Sequence, residues 1–324
     1  MKFLSGKTLL ITGGTGSFGN AATKYILKNS KIKKLIIFSR DENKQYLMQQ
    51  KFTDKRLRFF LGDIRDEERL IMAFRNVDYV INAAAQKHVP IAEYNPFECV
   101  KTNIYGSQSI ISASMKTGVK RVLSLSTDKA CNPINLYGAT KLCSEKLFIN
   151  ANNLAAPNGT KYGIVRYGNV IASRGSVIPF FKTLLQNKQT VPLTDEGMTR
   201  FFITLEEAVI FVLNCLLNLQ NGELFIPKMN SIYIKDLIKI LDPNAKIKIV
   251  GIRPGEKINE ILCSKDELGT IYEYKNYFTI YPINFNKKKI GKKIKNLFNY
   301  SSDSKEFLNK EKIKILLKKS KILL

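Results

Sequence analysis

The residues best suited to chemistry lie between positions 127 and 141. Thr127, Asp128 and Lys129 place a hydroxyl, an acid and a base side by side, and Tyr137 and Lys141 follow. If a helix begins near position 137, Tyr137 and Lys141 share one of its faces. A lysine ammonium beside a phenol favours the phenolate, so we expect a lowered pKa for Tyr137 and a role as proton acceptor. Because Tyr-x-x-x-Lys pairs also occur on plain helix surfaces, the neighbouring motifs must support this role.

The pair Asp128-Lys129 follows a predicted strand at 121–125. In an open α/β sheet, ligands bind at the carboxyl ends of the strands. An acid and a base can exchange protons with a ligand there, and an ordinary solvated turn is the alternative. A lysine acts as a base only when it is neutral. We expect partial burial and the nearby Lys141 to lower the pKa of Lys129 more than Asp128 raises it.

A glycine-rich turn near the N-terminus predicts a dinucleotide site. An apolar, β-prone run at 7–12 precedes Gly13-Gly-Thr-Gly-Ser-Phe-Gly19, and a helical stretch at 20–27 follows. Such glycines permit a tight turn and a close approach of the backbone to a pyrophosphate at the helix N-terminus. Glycine clusters are often plain turns, but the flanking strand and helix favour a nucleotide loop.

The second predicted strand ends in Ser39 and Arg40, with Lys44 shortly after. NAD-binding units usually place an acidic residue there to bind the ribose 2′-hydroxyl. Two cations and a hydroxyl suit a 2′-phosphate instead, so they predict NADP. The neighbouring Asp41 and Glu42 count against this choice.

Two further strand ends are expected beside the cofactor. Asp63 follows a predicted strand and either accepts a hydrogen bond from adenine or caps the next helix. The strand at 79–85 ends in small residues, which let a cofactor lie against the backbone. Lys87 and the single histidine, His88, come next, and we prefer Lys87 as the ligand of a substrate phosphate.

Six β-prone runs alternate with helical segments, one of them at 96–117. This pattern predicts an α/β fold, a Rossmann-like doubly wound parallel sheet with a smaller C-terminal α/β substrate-binding region. We expect an NADP-binding domain with the catalytic residues at 1–170. Residues 171–324 are expected to form mainly the substrate-binding region and a basic tail, and the chain is free to cross between the two. The predicted strands lie at 7–12, 34–39, 57–61, 79–85, 122–126 and 162–170.

Three arginines of the C-terminal half lie in predicted short loops, at Arg174, Arg200 and Arg253. Arginine forms bidentate hydrogen bonds with phosphate. Each arginine alone is typical of a protein surface. Together, opposite a cofactor domain, they predict a diphosphate site.

Bulk composition narrows the classes of function. The 324 residues are 44% hydrophobic, include no run of 18 apolar residues and begin without a signal-peptide pattern, so we expect a cytoplasmic protein without a membrane span. Five scattered cysteines and one histidine predict neither a zinc site nor a disulfide framework. The net charge of +25 suggests nucleic acid, but 13 lysines against three acidic residues lie from 287 onward, without a nucleic-acid motif. We interpret the charge as composition bias plus a basic tail that packs on the body or on another subunit.

Taken together, the motifs resemble the extended short-chain dehydrogenase/reductase superfamily. More narrowly they resemble the inverting UDP-N-acetylglucosamine 4,6-dehydratases, which begin pseudaminic acid synthesis for glycan and flagellin modification. The resemblance extends over roughly residues 5–283. The motifs that carry it are the glycine turn, Ser-Thr-Asp-Lys-Ala, Asn-Pro before Tyr-Gly-x-x-Lys, Arg-Tyr-Gly-Asn-Val, Met-Thr-Arg-Phe and Arg-Pro-Gly-Glu-Lys.

The resemblance implies a redox-neutral hydro-lyase that forms UDP-2-acetamido-2,6-dideoxy-β-L-arabino-hex-4-ulose and water. Tyr137, helped by Lys141, would take the C4 hydroxyl proton while hydride passes to NADP, and Thr127 would bind the C4 oxygen. Lys129 would remove the C5 proton, and Asp128 would help the C6 hydroxyl leave. Hydride would then return to C6.

The resemblance also implies binding residues and a homo-oligomer, either a dimer or a larger assembly such as a hexamer. The cofactor would contact Gly13, Thr15, Gly16, Ser17, Phe18, Gly19, Ser39, Arg40, Lys44, Asp63, Ile64, Ala83, Lys87, Tyr137, Lys141 and Val170. UDP-N-acetylglucosamine would contact Lys87, Thr127, Lys129, Asn169, Arg174, Arg200, Arg253 and Glu256. We expect no nucleic-acid, membrane or metal partner.

The same residues leave other functions open. A nucleotide-sugar 4-epimerase needs the Tyr/Lys pair but no acid and base for elimination, so Asp128 and Lys129 count against it. A dehydratase that retains the C5 configuration, or one that also epimerises C3 or C5, fits the same residues. A non-catalytic NADP-sensing or nucleic-acid-binding Rossmann protein would not need Tyr137, Lys141, Asp128 and Lys129 together.

The substitution Arg40→Asp tests the cofactor prediction. It replaces a cation by an anion where the 2′-phosphate is expected, so it should weaken NADP binding about tenfold or more and NAD binding far less. Titrations of the native protein and the variant with each cofactor provide the measurement. Equal affinity of the native protein for NADP and NAD would contradict the prediction.

Overall fold

The structure is a computed structural model that describes residues 1–171, 173, 175–267, 270–285, 289–294 and 299–323. In these ranges the helices are α1 Ser17–Asn29, α2 Glu42–Lys51, α3 Glu67–Phe74, α4 Val89–Tyr94, α5 Pro96–Val100, α6 Gly106–Thr117, α7 Leu136–Leu154, α8 Val177–Gln186, α9 Leu205–Asn218, α10 Ile234–Leu241 and α11 Lys310–Lys319. Short 3₁₀ turns lie at Lys2–Leu4, Asp128–Ala130 and Lys265–Glu267, and a π-helical turn at Lys101–Tyr105 joins α5 to α6.

The strands of the same ranges are β1 Thr8–Thr12, β2 Lys34–Ser39, β3 Leu57–Leu61, β4 Tyr79–Asn82, β5 Arg121–Thr127, β6 Lys161–Tyr167, β7 Asn169–Val170, β8 Val191–Leu193, β9 Thr199–Ile203, β10 Leu224–Pro227, β11 Asn230–Tyr233, β12 Ile247–Ile249, β13 Ile261–Cys263, β14 Ile271–Glu273, β15 Tyr277–Ile280, β16 Lys292–Lys293 and β17 Tyr300–Ser301.

The main sheet of the described chain has the order β16-β14-β15-β10-β6-β5-β4-β1-β2-β3. Strands β1 to β6 and β10 run parallel, and β14 to β16 add an antiparallel edge. The strand order reverses between β1 and β4, which is where doubly wound sheets bind nucleotides. The predicted α/β fold with a doubly wound sheet is confirmed.

Helices cover both faces of the parallel strands. Leu10 and Ile36 belong to the core beneath α3, α6 and α7, whereas the adjacent residues Leu9 and Ile11 belong to the core beneath α1 and α9. Because both faces are buried, consecutive central positions of such a strand are mostly apolar. This explains why the sequence shows continuous apolar runs here rather than alternation.

The predicted strand boundaries need three corrections. The fourth strand ends at Asn82 rather than 85. The sixth ends at Tyr167, and Asn169–Val170 pairs with β9 in a separate three-stranded sheet. Between them Gly168 allows the two sheets to approach, since a Cβ there would lie 2.7 Å from Phe201 Cβ. The seventh parallel strand, β10, was not predicted.

A second core lies outside the main sheet and contains residues of α8, α10, α11 and β8. The chain enters it after β6, returns to the main sheet through α9 and β10, and crosses again before β14. The division of the chain into domains at residue 170 stays a prediction.

Of the two predicted positions for the basic tail, on the body or on another subunit, the described part of the tail takes the first. Ile313 and Leu317 of α11 are buried in the second core. The ring of Tyr300 contacts those of Phe201 and Phe278, with centroids 4.8 and 5.1 Å apart. Across the described ranges, every helix is too short or too polar to cross a lipid bilayer.

Leu317→Ala tests whether α11 stabilises the second core. The native side chain is fully buried, so truncation should leave a cavity and lower the free energy of unfolding by about 2–4 kcal/mol. Ile315→Ala is the matched control, because Ile315 lies on the same helix and is 51% exposed. Denaturant titrations should show a much smaller change for this control, and similar losses in both variants would contradict the packing of α11.

Candidate active site

The catalytic segment begins where β5 ends at Thr127. Helix α7 starts shortly after and is capped by Asn135, whose Oδ1 accepts a hydrogen bond from Gly138 N at 2.8 Å. Gly138 packs directly against the carbonyl oxygen of Lys129, where any Cβ would overlap it. The first turn of α7 therefore lies against Lys129, and this contact brings Tyr137 to the end of β5.

The structure brings four of the predicted catalytic residues into one cluster. Thr127 Oγ1 donates to Asp128 Oδ1 at 2.9 Å, and Lys129 Nζ donates to the same oxygen at 3.0 Å. The Tyr137 phenol contacts the Thr127 hydroxyl. Asp128 is 1% exposed and Tyr137 is half-buried, so their interactions within the cluster are only weakly screened by water.

The pKa of Tyr137 shifts in the direction opposite to the predicted one. Burial raises it to about 12, although the charge of Lys129 and the Thr127 hydroxyl act against the rise. The fifth predicted catalytic residue, Lys141, does not lower it. Its ammonium donates to the Leu125 carbonyl oxygen at 2.7 Å, and burial lowers the pKa of Lys141 itself to about 8.

The prediction of a lowered pKa for Lys129 is also wrong. Burial disfavours its charge, but the carboxylates of Asp128 and Glu260 outweigh burial and raise the pKa above its ordinary value. Each carboxylate has an oxygen 3.0 Å from Lys129 Nζ. Glu260 was not among the predicted site residues. Its position three residues after the Arg-Pro-Gly-Glu-Lys motif was the available signal.

A cleft of about 280 Å³ opens beside Lys129. Glu260 lines it, and so does His88, although the sequence favoured Lys87 over this histidine. The predicted substrate residue Arg174 lies outside the described residues. Thr127 is not among the described residues that line the cleft, but it contacts Asp128, which in turn contacts Lys129. The predicted substrate residues that line the cleft are Lys87, Lys129, Asn169, Arg200, Arg253 and Glu256.

The two described arginines of the cleft differ in their surroundings. Arg200 is buried, and its terminal nitrogens donate to the carbonyl oxygens of Thr199, Lys257 and Ile258 at 2.7–2.8 Å. Arg253 is exposed at the mouth of the cleft. Arg200 lies in β9 and not in the predicted short loop, and it holds Lys257 and Ile258 against this strand. Of the two arginines, only Arg253 is exposed.

One further cation, Lys87, and one carboxylate, Glu256, line the cleft near Arg253. Desolvation lowers the pKa of Lys87. Glu256 lies 3.3 Å from Arg253 Nε and accepts a hydrogen bond from Thr194 Oγ1 at 3.1 Å. These contacts hold Arg253 and Glu256 together at the entrance.

The glycine turn fits a dinucleotide. Gly13 has φ +61°, and a Cβ on it would lie 2.8 Å from the carbonyl oxygen of Ala83. Gly16 caps α1 without a side chain, so an anion can approach the backbone N–H groups at the start of this helix. Several other predicted cofactor residues lie at or just beyond the carboxyl ends of strands or in the first turn of α1, namely Thr15, Phe18, Gly19, Ser39, Ile64 and Val170. Lys44 lies on α2, and Tyr137 and Lys141 lie on α7.

The residues predicted to select NADP have partners of their own. Lys44 forms an ion pair with Asp41, and Arg40, 66% exposed at its side chain, lies 3.7 Å from Asp63. The cap of α3 is Asp66, so the alternative role of Asp63 as a helix cap is wrong. The choice of NADP over NAD stays a prediction.

Three buried oxygen atoms around the catalytic cluster have no hydrogen-bond partner within the described ranges: Asp128 Oδ2, Asn169 Oδ1 and Glu260 Oε2. Buried polar atoms in folded proteins are nearly always paired. Two of the three residues, Asn169 and Glu260, line the cleft, so a polar ligand in the cleft fits these unpaired atoms.

Comparison with known proteins agrees with this geometry. Residues 9–282 match the family described as polysaccharide biosynthesis protein. The chain belongs to this family. It is 53% identical over 318 residues to UDP-N-acetylglucosamine 4,6-dehydratase (inverting) of Campylobacter jejuni subsp. jejuni serotype O:2, with 94% of this chain and 95% of that protein covered.

Two other relatives extend the comparison. UDP-glucose 4-epimerase of Rickettsia conorii is 39% identical, with 96% of this chain and 95% of that protein covered. The crystal structure of Pen from Bacillus thuringiensis superposes with a TM-score of 0.91 at 36% identity, covering 99% of this chain and 100% of that one. The predicted resemblance and the predicted class of enzyme, a hydro-lyase of the dehydratase type, are confirmed.

Lys141→Met tests the burial of the Lys141 ammonium. With a folded pKa of about 8 and an ordinary value of 10.5, the unfolded chain binds the proton more tightly, so the charged lysine lowers stability fully below pH 8. The variant should be more stable than the native protein by about 1–3 kcal/mol at pH 7. That gain should shrink as the pH rises from 8 towards 10.5.

Urea unfolding at pH 7 and pH 9.5 provides the measurement. Lys146→Met is the matched control, because Lys146 is exposed on the same helix. The same pH dependence in both variants would contradict the burial of Lys141 as a charged group.

Proposed function

We propose that this protein is an inverting UDP-N-acetylglucosamine 4,6-dehydratase that uses NADP and catalyses the first step of pseudaminic acid synthesis. The observation that carries the proposal is the contact between Asp128 and Lys129 at the end of β5, beside Tyr137. The relative named as the inverting enzyme, 53% identical along nearly the whole chain, supports the substrate and the C5 outcome. The proposal includes a cytoplasmic homo-oligomer that binds neither nucleic acid nor a membrane.

A bound nicotinamide cofactor would supply the acceptor for hydride from C4 and return hydride to C6, so that the sugar undergoes no net oxidation. The turn from Gly13 to Gly19 fits its pyrophosphate, since the N-cap of α1 is Gly16, whose lack of a side chain leaves room for an anion beside the backbone N–H groups. Ser39 and Arg40 at the end of β2 would select the 2′-phosphate.

Tyr137 is the proton acceptor for the C4 hydroxyl in this proposal. Its contact with Thr127 supports this role, because the two side-chain oxygen atoms would bind the C4 oxygen together. With a pKa of about 12, its phenolate is a strong base that forms only beside additional positive charge. Lys129 supplies part of that charge.

Asp128 and Lys129 are suited to elimination because a single proton transfer between them produces both the base and the acid that this reaction needs. Movement of a proton from Lys129 Nζ to Asp128 over their 3.0 Å contact yields a neutral amine and a protonated carboxyl group. The amine can then take the C5 proton, and the carboxyl group can give its proton to the departing C6 hydroxyl. The C5–H and C6–O bonds break, a C5–C6 double bond forms, and water leaves. Asp128 Oδ1, the oxygen that makes this contact with Lys129, receives the proton.

A second candidate is a nucleotide-sugar 4-epimerase, supported by the 39% identical relative named as UDP-glucose 4-epimerase. Epimerisation at C4 uses the Tyr/Lys pair and the cofactor but no acid–base pair for elimination. Incubation with UDP-N-acetylglucosamine, with mass and NMR analysis of the product, distinguishes the two, because only the dehydratase product is lighter by one water.

Lys129→Ala tests the assignment of the C5 base. Loss of a general base should reduce the rate of water loss by about 10²–10⁴-fold, while binding of UDP-N-acetylglucosamine stays largely intact. Tyr137→Phe should instead block the preceding oxidation, so that no solvent deuterium enters at C5. NMR of the recovered sugar in deuterated buffer measures the exchange.

Native-like dehydration and C5 exchange in Lys129→Ala would show that Lys129 is not the base. Lys87, the other lysine that lines the cleft, would then be the candidate. Abundant C5 exchange in Tyr137→Phe would equally contradict the role given to Tyr137.

A further inference from the structure

We propose that Glu260 is a positioning residue that holds Lys129 over the cleft and controls its proton, and that the C-terminal residues 300–302 hold Glu260. This inference rests on the proposed function and adds to it a residue that acts through Lys129. It also gives the tail, which carries no recognisable motif, a part in the active site.

The side chain of Glu260 is placed entirely by charged neighbours. Its Oε1 lies 3.0 Å from Lys129 Nζ and 3.8 Å from Arg200 Nε. The residue is 1% exposed, and Oε2 is without a hydrogen-bond partner among the described residues. A buried carboxylate without cations would be strongly destabilising. Glu260 and Lys129 therefore fix each other's position.

The backbone of Glu260 is fixed by the tail. Glu260 N donates to Ser302 Oγ at 2.9 Å, and Ser302 N donates to the Glu260 carbonyl oxygen at 2.9 Å. Ser302 Oγ also lies 2.6 Å from Thr199 Oγ1, the residue before Arg200. The Tyr300 ring packs against Phe201. One buried serine thus joins the two segments that carry Glu260 and Arg200.

Four ionisable groups face Lys129 from the elements packed around it. Asp128 adjoins it in the 3₁₀ turn, Glu260 follows the Arg-Pro-Gly-Glu-Lys motif, Arg200 lies on β9 and Tyr137 on α7. Two carboxylates and one guanidinium surround the ammonium, so removal of Glu260 leaves the positive charges in excess. Lys129 should then release its proton at lower pH.

This balance has a consequence for elimination. Glu260 opposes loss of the Lys129 proton to water more than its transfer to Asp128, because in the second case the proton stays close to the Glu260 carboxylate. The proton then remains in the cluster for the departing hydroxyl. Without Glu260, Lys129 becomes neutral at lower pH by releasing its proton to water, and Asp128 does not receive that proton. Such an enzyme should dehydrate more slowly at its optimum, with a rate profile displaced to lower pH and little change in KM.

The test measures Lys129 directly. Trace acetylation with acetic anhydride at a series of pH values, read by mass spectrometry of the peptide that contains Lys129, reports the pH at which its amine becomes neutral. Glu260→Gln should lower that pH by about one unit or more relative to the native protein. Glu256→Gln is the matched control for this readout, since its carboxylate lies in the same cleft on Arg253 and not on Lys129. It should leave the acetylation of Lys129 unchanged.

Two further variants keep the inference testable if Glu260→Gln folds poorly. Glu260→Asp retains the carboxylate but moves it farther from Lys129 Nζ. It should therefore lower the pH at which the Lys129 amine becomes neutral, by less than Glu260→Gln does. Ser302→Ala should shift the acetylation of Lys129 through the loss of the backbone anchor. An unchanged acetylation profile in the Glu260 variants overturns the role of Glu260, and an unchanged profile in Ser302→Ala overturns the role of the tail.

The rate of dehydration against pH separates this inference from the proposed function. If the native protein does not dehydrate UDP-N-acetylglucosamine, the proposed function fails, and the acetylation result still decides the role of Glu260. If the native protein is active and Glu260→Gln lowers kcat equally at all pH values without moving the profile, Glu260 is only structural and the inference is wrong.

Discussion

The ammonium of Lys129 lies 3.0 Å from the carboxylates of both Asp128 and Glu260. This cluster of charges joins two distant parts of the chain. Asp128 belongs to the main sheet through the end of β5. Glu260 belongs to a segment anchored to β9 and to the tail at Ser302. Because an unpaired buried charge is so unfavourable, the cluster is stable only when the two parts of the chain close on each other.

Other contacts strengthen the same junction. Asn135, the cap of α7, donates to the Gly255 carbonyl oxygen at 2.7 Å, and Lys257 Nζ donates to the Cys131 carbonyl oxygen at 2.7 Å. The segment that carries Glu260 is therefore tied to both ends of the loop between β5 and α7. Such outer contacts keep catalytic side chains in a fixed geometry.

A second group of buried charges, centred on Arg166, stabilises the same region. Arg166 of β6 lies 2.6 Å from Glu145 of α7 and 3.1 Å from Glu267, and its charge is strongly favoured there despite burial. Ser126 also donates to Glu145 at 2.6 Å. This network joins β5, β6 and α7 to the segment after β13. The helix that carries Tyr137 and Lys141 is therefore held at Glu145 as well as at its cap, Asn135.

Local sequence determined much of this protein. Six of the parallel strands could be predicted because burial on both faces makes them largely apolar runs. The glycine turn, the Asp128-Lys129 pair and the spacing of Tyr137 and Lys141 could be recognised because each lies within one short segment. Tertiary structure alone decided what surrounds them. It placed Glu260 beside Lys129, turned Arg200 towards backbone carbonyls, brought β10 into the sheet and buried Tyr137 enough to raise its pKa. A pKa depends on burial and on charges from distant parts of the chain, and these distances exist only in the folded protein.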